Sequence, residues 1–210
     1  MGNIRLQVLL FCIVFSCICT AESNENSFTP DQVLYPITKI ELSTKMSSDG
    51  PSGQVFSLYT CTENCMLDLT DNTALNNIAR PTASIEEGSY RFVKVSSCLE
   101  GEDTYTASIT GEVTIDGTKY FTDEVDGLNT SSAESVAIKF TECASYYELQ
   151  EDLEVGDSVA SSLRFIFDLT DIAWAKIGTE SSGACFVKFG FNDSVCMGVP
   201  ALIPIISSGT

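Results

Sequence analysis

Six cysteines, Cys61, Cys65, Cys98, Cys143, Cys185 and Cys196, are the residues of this chain whose chemistry is best constrained by type and number. Thiols bind metal, attack as thiolates or pair as disulfides. The chain contains no His, so a mixed Cys/His zinc site and a Ser-His-Asp triad are both excluded. An even set of cysteines behind an export leader reads as up to three disulfides, because exported thiols are oxidised before they meet metal. That same argument disfavours a four-thiolate zinc site. Sequential pairing is the preferred connectivity: Cys61 with Cys65, Cys98 with Cys143, Cys185 with Cys196. For the last pair there is a geometric reason. Phe189-Gly190-Phe191-Asn192 suits a two-residue II′ hairpin turn, and in that register Cys185 and Cys196 stand opposite each other.

Carboxylates are the next candidates. Glu100-Gly101-Glu102-Asp103, Asp123-Glu124-Val125-Asp126 and the stretch from Glu148 to Asp157 each gather several acids, and calcium takes six to eight oxygen ligands. None has EF-hand spacing: counted from Asp123, the glycine falls at the fifth position instead of the sixth. Solvated turns are the expected outcome, and no metal or cofactor is assigned. Asp168 with Asp171 offers a carboxylate pair of the kind glycoside hydrolysis uses, yet so acidic a chain always supplies some pair. No catalytic residue is therefore named, and a non-enzymatic protein is expected. Adjacent Tyr146 and Tyr147 must face opposite sides of a strand, which exposes one of them for stacking on a sugar ring. The lone Trp174, between Ala173 and Ala175, reads as core. No ligand-binding set is defined beyond these. The sequons at Asn129 and Asn192 matter only in a eukaryotic secretory pathway.

The leader carries an address. Behind the single Arg5, an apolar run from Leu6 to Ser16 has the length of a secretory h-region and is too short to span a bilayer. Val14-Phe15-Ser16-Cys17 resembles the lipobox at which bacterial lipoproteins are cut and diacylated, with a bulky Phe15 where a smaller residue is usual. Cleavage after Ala21 fits an ordinary signal peptidase, so the two cuts compete. Cys17 is the lipidation candidate, and membrane contact is expected only through that anchor. Residues 1–21 are thus assigned as signal peptide and 22–32 as a flexible spacer.

Charge narrows the partners. The net charge is −18; loss of residues 1–21 removes Arg5 and no acid, which leaves 10 Lys and Arg against 29 Asp and Glu, or −19. Nucleic acid is excluded as a partner, since phosphate binding needs clustered Lys and Arg that this chain lacks. A cell-envelope protein or glycan is the partner class that remains.

The elements that must position these residues are strands. From Val33 onward apolar and polar residues alternate with period two, and turn residues punctuate at short intervals. Along Thr104–Ile115, Tyr105, Ala107, Ile109, Val113 and Ile115 share one face. Asp116-Gly117 then makes a type I′ turn that returns Tyr120 opposite Val113. Val136, Ile138 and Phe140 form another inward set, and Leu163, Phe165, Phe167 and Leu169 a third. Further strands are expected at Ile37–Ser43, Gln54–Cys61, Met66–Thr70 and Ser89–Ser97, with Ser145–Leu153 favouring a strand. Nine to eleven strands, no long helix and no repeat of fixed period predict one all-β domain over residues 33–210, an antiparallel β-sandwich. The run Val199–Ile206 reads as a last strand; as an exposed edge it could extend a neighbouring subunit's sheet and make the protein a fibre component.

Four motifs in order, Leu67-Asp68-Leu69-Thr70, Ile85-Glu86-Glu87-Gly88-Ser89-Tyr90, Val113-Thr114-Ile115-Asp116-Gly117 and Phe165-Ile166-Phe167-Asp168-Leu169, resemble those of a family of bacterial surface lipoproteins. The resemblance spans about residues 33 to 177 of the chain. It implies a prealbumin-like or immunoglobulin-like sandwich and a surface address, and it supplies no catalytic residues.

Overall fold

The structure, a computed structural model, describes residues 26–48, 50–71, 78, 80–81, 85–156, 161–177, 185–187 and 193–208. The leader with Cys17, residues 22–25 of the expected spacer, Asp157, the turn at Gly190 and the sequon residue Asn192 lie outside them. Every regular element among the described residues is a β-strand. In chain order they are β1 (Ser27–Phe28), β2 (Gln32–Pro36), β3 (Lys39–Ser47), β4 (Gly50–Thr60), β5 (Met66–Asp68), β6 (Arg80–Pro81), β7 (Gly88–Ser96), β8 (Tyr105–Thr110) and β9 (Glu112–Ile115). They continue with β10 (Thr118–Asp123), β11 (Gly127–Asn129), β12 (Val136–Phe140), β13 (Ala144–Val155), β14 (Ser161–Asp168), β15 (Ala173–Ile177), β16 (Cys185–Val187), β17 (Asp193–Met197) and β18 (Ala201–Ser208). The expected all-β antiparallel sandwich is what the chain forms.

Two four-stranded sheets carry its logic: β12-β8-β2-β5 and β13-β7-β3-β4. Strands in the same place in the two lists are consecutive in the chain. β2 runs into β3, β4 into β5, β7 into β8 and β12 into β13, so four chain segments turn from one sheet into the other along a common corner. A bend interrupts the hydrogen-bond ladder, and the freed backbone groups must find partners if they are buried. Here they bond from corner to corner. Ile37 N–H donates to Cys65 O at 3.0 Å, Cys61 N–H to Thr38 O at 2.8 Å, Thr38 N–H to Ser96 O at 2.8 Å and Ser97 N–H to Cys143 O at 2.9 Å. The buried Thr38 hydroxyl adds bonds to Ser96 O at 3.0 Å and Cys98 O at 2.9 Å.

Side chains reinforce the seam. Tyr35 at the end of β2, Tyr105 at the start of β8 and Phe140 at the end of β12 meet beneath it, with Tyr105 and Phe140 stacked at 4.9 Å and Tyr35 edge-on to Tyr105 at 5.4 Å. Inward positions of both sheets join one core: Val33, Ala107, Ile109, Val136 and Ile138 from the first and Ile40, Leu42, Val93 and Val95 from the second, all buried. Each such Val or Ile contributes about 1.5–3 kcal/mol relative to exposure. A third four-stranded sheet, β1-β15-β17-β16, and two three-stranded sheets, β11-β10-β9 and β18-β14-β6, complete the sandwich.

The Asp116-Gly117 turn has positive φ at both residues, 49° and 78°, as type I′ requires, and Tyr120 pairs with Val113. Two expectations need correction. The Thr104–Ile115 strand is divided at Gly111, where a side chain would come within 3.0 Å of the Phe28 ring and 3.2 Å of the Pro30 backbone. This close approach of the entering chain belongs to the second correction. The expected spacer is part of the domain from Ser27: Ser27 and Phe28 pair with Trp174 and Ala173, and Phe28 is buried. An aromatic ring with a vacant strand edge beside it gains more from burial than a tether gains from freedom. The eighteen strands among the described residues also exceed the expected nine to eleven, because β1, β2, β6, β11 and β15 were not read from the sequence and Thr104–Ile115 is divided in two.

Candidate functional site

All six cysteines of the domain are joined, in the sequential pattern: Cys61–Cys65, Cys98–Cys143 and Cys185–Cys196. Cys185 and Cys196 are direct cross-strand partners of β16 and β17, the register inferred from the Gly190 turn. The first two disulfides lie in the corner. Cys61–Cys65 pinches the passage from β4 to β5, and Cys98–Cys143 ties the β7/β8 corner to the β12/β13 corner. No cysteine among the described residues is left as a thiolate for metal or for nucleophilic attack.

In the Asp123–Asp126 loop the first carboxylate is engaged by its own backbone. Asp123 Oδ1 accepts from Val125 N–H at 2.9 Å and Asp126 N–H at 2.6 Å, and Asn129 Nδ2 donates to Asp123 Oδ2 at 2.6 Å. The same Asn129 amide donates to Ser132 O and accepts from Ser131 and Ser132, so this sequon side chain is enclosed in its loop. Glu148 and Asp152, across a bulge of β13, both receive hydrogen bonds from Arg91 at 2.8 Å. No group of three His, Cys, Asp or Glu among the described residues is placed to hold a metal ion.

Asp168 and Asp171 lie in one turn at the end of β14. Asp168 Oδ1 accepts from Thr170 N–H at 2.9 Å, a bond that holds its carboxyl below the usual range. Asp171 adopts a left-handed conformation, φ 49°, and donates its N–H to Thr29 Oγ1 at 3.0 Å. Asp68 makes the same turn at the exit of β5, accepting from Thr70 N–H at 2.9 Å. Desolvation pushes the Asp68 carboxyl up, but hydrogen bonds from Thr70 and Gln32 outweigh it and the net direction is down. Asp-Leu-Thr-Asp thus occurs twice, at 68–71 and 168–171, each time closing a strand with an Asx turn.

The aromatics divide as alternation requires. Tyr146 is 50% exposed. Tyr147 points to the other side, where its hydroxyl donates to Pro200 O at 3.2 Å. Trp174 is half-buried in β15, pairing with Cys196. Burial pushes the phenols of Tyr35, Tyr105 and Tyr147 above the usual tyrosine value. The Tyr35 and Tyr105 hydroxyls bond to each other inside the core.

Register unites residues that sequence separates. Tyr146 pairs with Lys94, Lys94 with Glu41 and Glu41 with Ser57, one continuous row across the outer face of the β13-β7-β3-β4 sheet. Glu41 is held between two ammonium groups, Lys39 at 2.6 Å and Lys94 at 3.7 Å. Tyr146 was marked by its exposure alone; Glu41 and Lys94 carried no sequence signal, since no short motif joins them. A second feature lies on the β18-β14-β6 sheet, where cross-strand partners Ile166 and Ile203 are each 46% exposed.

No protein-family model matches the chain, and no curated protein or solved structure does so either. The resemblance to surface lipoproteins rests on its own four motifs.

Proposed function

We propose that the protein is exported and serves a binding, adhesive or structural role at the cell envelope, without catalysing a reaction, held at the membrane by a lipid on Cys17 or released after Ala21. The observation that carries this reading is the set of three disulfides in the domain behind a secretory leader. Structural disulfides persist in oxidising compartments. Among the candidate carboxylates, Asp123 and Asp168 are engaged in turns and Asp152 with Arg91. Charge supports a partner of protein or glycan type over nucleic acid. Intact-mass analysis of the protein from its native host tests the address: a diacyl adduct on Cys17 supports the anchor, and a start at Glu22 supports release. A retained Met1 with free thiols contradicts export.

Assembly through the C-terminal strand is a second reading. β18 pairs only with β14 among the described residues, which favours it. Pro204 weighs against it. The eight pairs of β14 with β18 run without a shift through Phe165 and Pro204, so the prolyl nitrogen stands on the side away from β14 and leaves the free edge without a donor at its centre. Replacing Pro204 with Val restores that donor. Sedimentation analysis should show the wild type monomeric and Pro204→Val shifted towards oligomers; wild-type polymers that vanish on deletion of residues 199–210 would instead establish assembly.

A further inference from the structure

The outer face of the β13-β7-β3-β4 sheet combines an exposed ring with a fixed donor and acceptor. Tyr146, Lys94, Glu41 and Ser57 are successive cross-strand partners, so their side chains stand next to each other on one face at steps of about 5 Å. The neighbouring row runs Glu148, Phe92, Ser43 and Val55, with Phe92 partly buried, Ser43 buried and Val55 exposed, so the open part of the face lies on the Tyr146 row. Glu41 is positioned from both sides by Lys39 and Lys94, its side chain 13% exposed. Gly50, at φ +116°, lies beside the hydroxyl end of the ring: a side chain there would stand 3.6 Å from the Tyr146 hydroxyl, so the start of β4 bounds the site on that flank.

An aromatic face with a polar rim suits a ligand that is apolar on one side and hydroxylated at its edge. A pyranose ring has that division: axial C–H groups on a face, hydroxyls around the perimeter that both donate and accept. We propose that this row is a binding site for a neutral carbohydrate, which stacks its C–H face on Tyr146 while Glu41 accepts from, and Lys94 donates to, its hydroxyls. Anionic glycans are opposed by the net charge of −18. A planar aromatic ligand would use the ring but make no use of the Glu41 and Lys94 groups beside it. The site needs neither export nor the lipid on Cys17, so its failure and the failure of the export reading are separate results.

Titration of the nitrogen-labelled chain with cellohexaose, chitohexaose and mannohexaose, followed by amide shifts, tests it. One of the neutral sugars should give saturable shifts confined to β13, β7 and β3. Tyr146→Ala should weaken that binding about tenfold, the order expected for one stacking contact. Glu41→Gln should weaken it severalfold. Val125→Ser, an exposed apolar residue on a distant loop, should leave it unchanged. Thermal melts of each variant establish folding independently. No saturable shift with any of the three sugars, shifts on another face, an unchanged affinity in folded Tyr146→Ala, or binding to an anionic heparin oligosaccharide alone would each overturn the proposal.

Discussion

The corner and the β14–β18 pair solve the same problem in opposite ways. Both are places where strands run out of ladder. In the corner, four segments bend together, and the freed backbone groups are recovered by bonds from Ile37, Thr38, Ser97 and Cys61 to neighbouring corners, with two disulfides across the line. At β18 the edge away from β14 is met at its start by the Tyr147 hydroxyl, which reaches Pro200 O and the Leu202 backbone, and is blunted further along by Pro204; Ile166 and Ile203 remain half exposed on the outer face. Two of the three disulfides and the cross-corner backbone bonds thus lie where the chain must change direction, the third disulfide links β16 to β17, and the β14–β18 pair carries no such reinforcement among the described residues. The difference predicts where substitutions matter.

The largest effect should follow loss of Cys98–Cys143. It closes a separation of 45 residues, so replacing both cysteines with Ala should cost about 4 kcal/mol in denaturant unfolding. Cys61–Cys65, with a separation of 4, should cost only about 2 kcal/mol in the same assay. Equal losses would break the idea that the cross-corner link outranks the local pinch.

Thr38→Val keeps the shape and removes the hydroxyl that serves Ser96 O and Cys98 O. About 1–2 kcal/mol should be lost. A change below a few tenths would mean that the corner carbonyls are satisfied without it.

The tyrosines beneath the corner set a pH limit. A phenol is neutral when protonated, and burial raises the folded pKa of Tyr35, Tyr105 and Tyr147. Above about pH 10 the unfolded chain releases protons that the folded chain retains, so stability is full below that pH and falls as pH rises beyond it. Urea midpoints from pH 8 to 11 should show the decline, and Tyr105→Phe should make it shallower.

Ile166→Ser should have the smallest effect, within about 0.5 kcal/mol, because the side chain is half exposed. A large loss in thermal melts would show that this face is packed as firmly as the corner.

Much of this architecture is written in local pattern. Alternation from Tyr105 to Ile115 and the Asp116-Gly117 turn gave a hairpin with Tyr120 opposite Val113, because period and turn type are properties of adjacent residues. The Cys185–Cys196 pairing was legible for the same reason, through the register that a two-residue turn imposes. The corner was not. Ile37-Thr38 reads as the start of a strand, and only bonds to Cys65 and Ser96, from distant segments, reveal a bend there. Phe28 was misread as spacer because the partner that buries it, β15, lies about 145 residues away. The Tyr146–Lys94–Glu41 row is likewise a product of register between three strands, invisible to any motif.

A non-reducing peptide map of the protein purified from its exported fraction, with thiols blocked beforehand, tests the central claim most directly. An exported, corner-stapled sandwich yields three linked pairs, Cys61–Cys65, Cys98–Cys143 and Cys185–Cys196, and no blocked thiol among these six residues. Blocked thiols at Cys98 and Cys143, or a link from either to another cysteine, would contradict it.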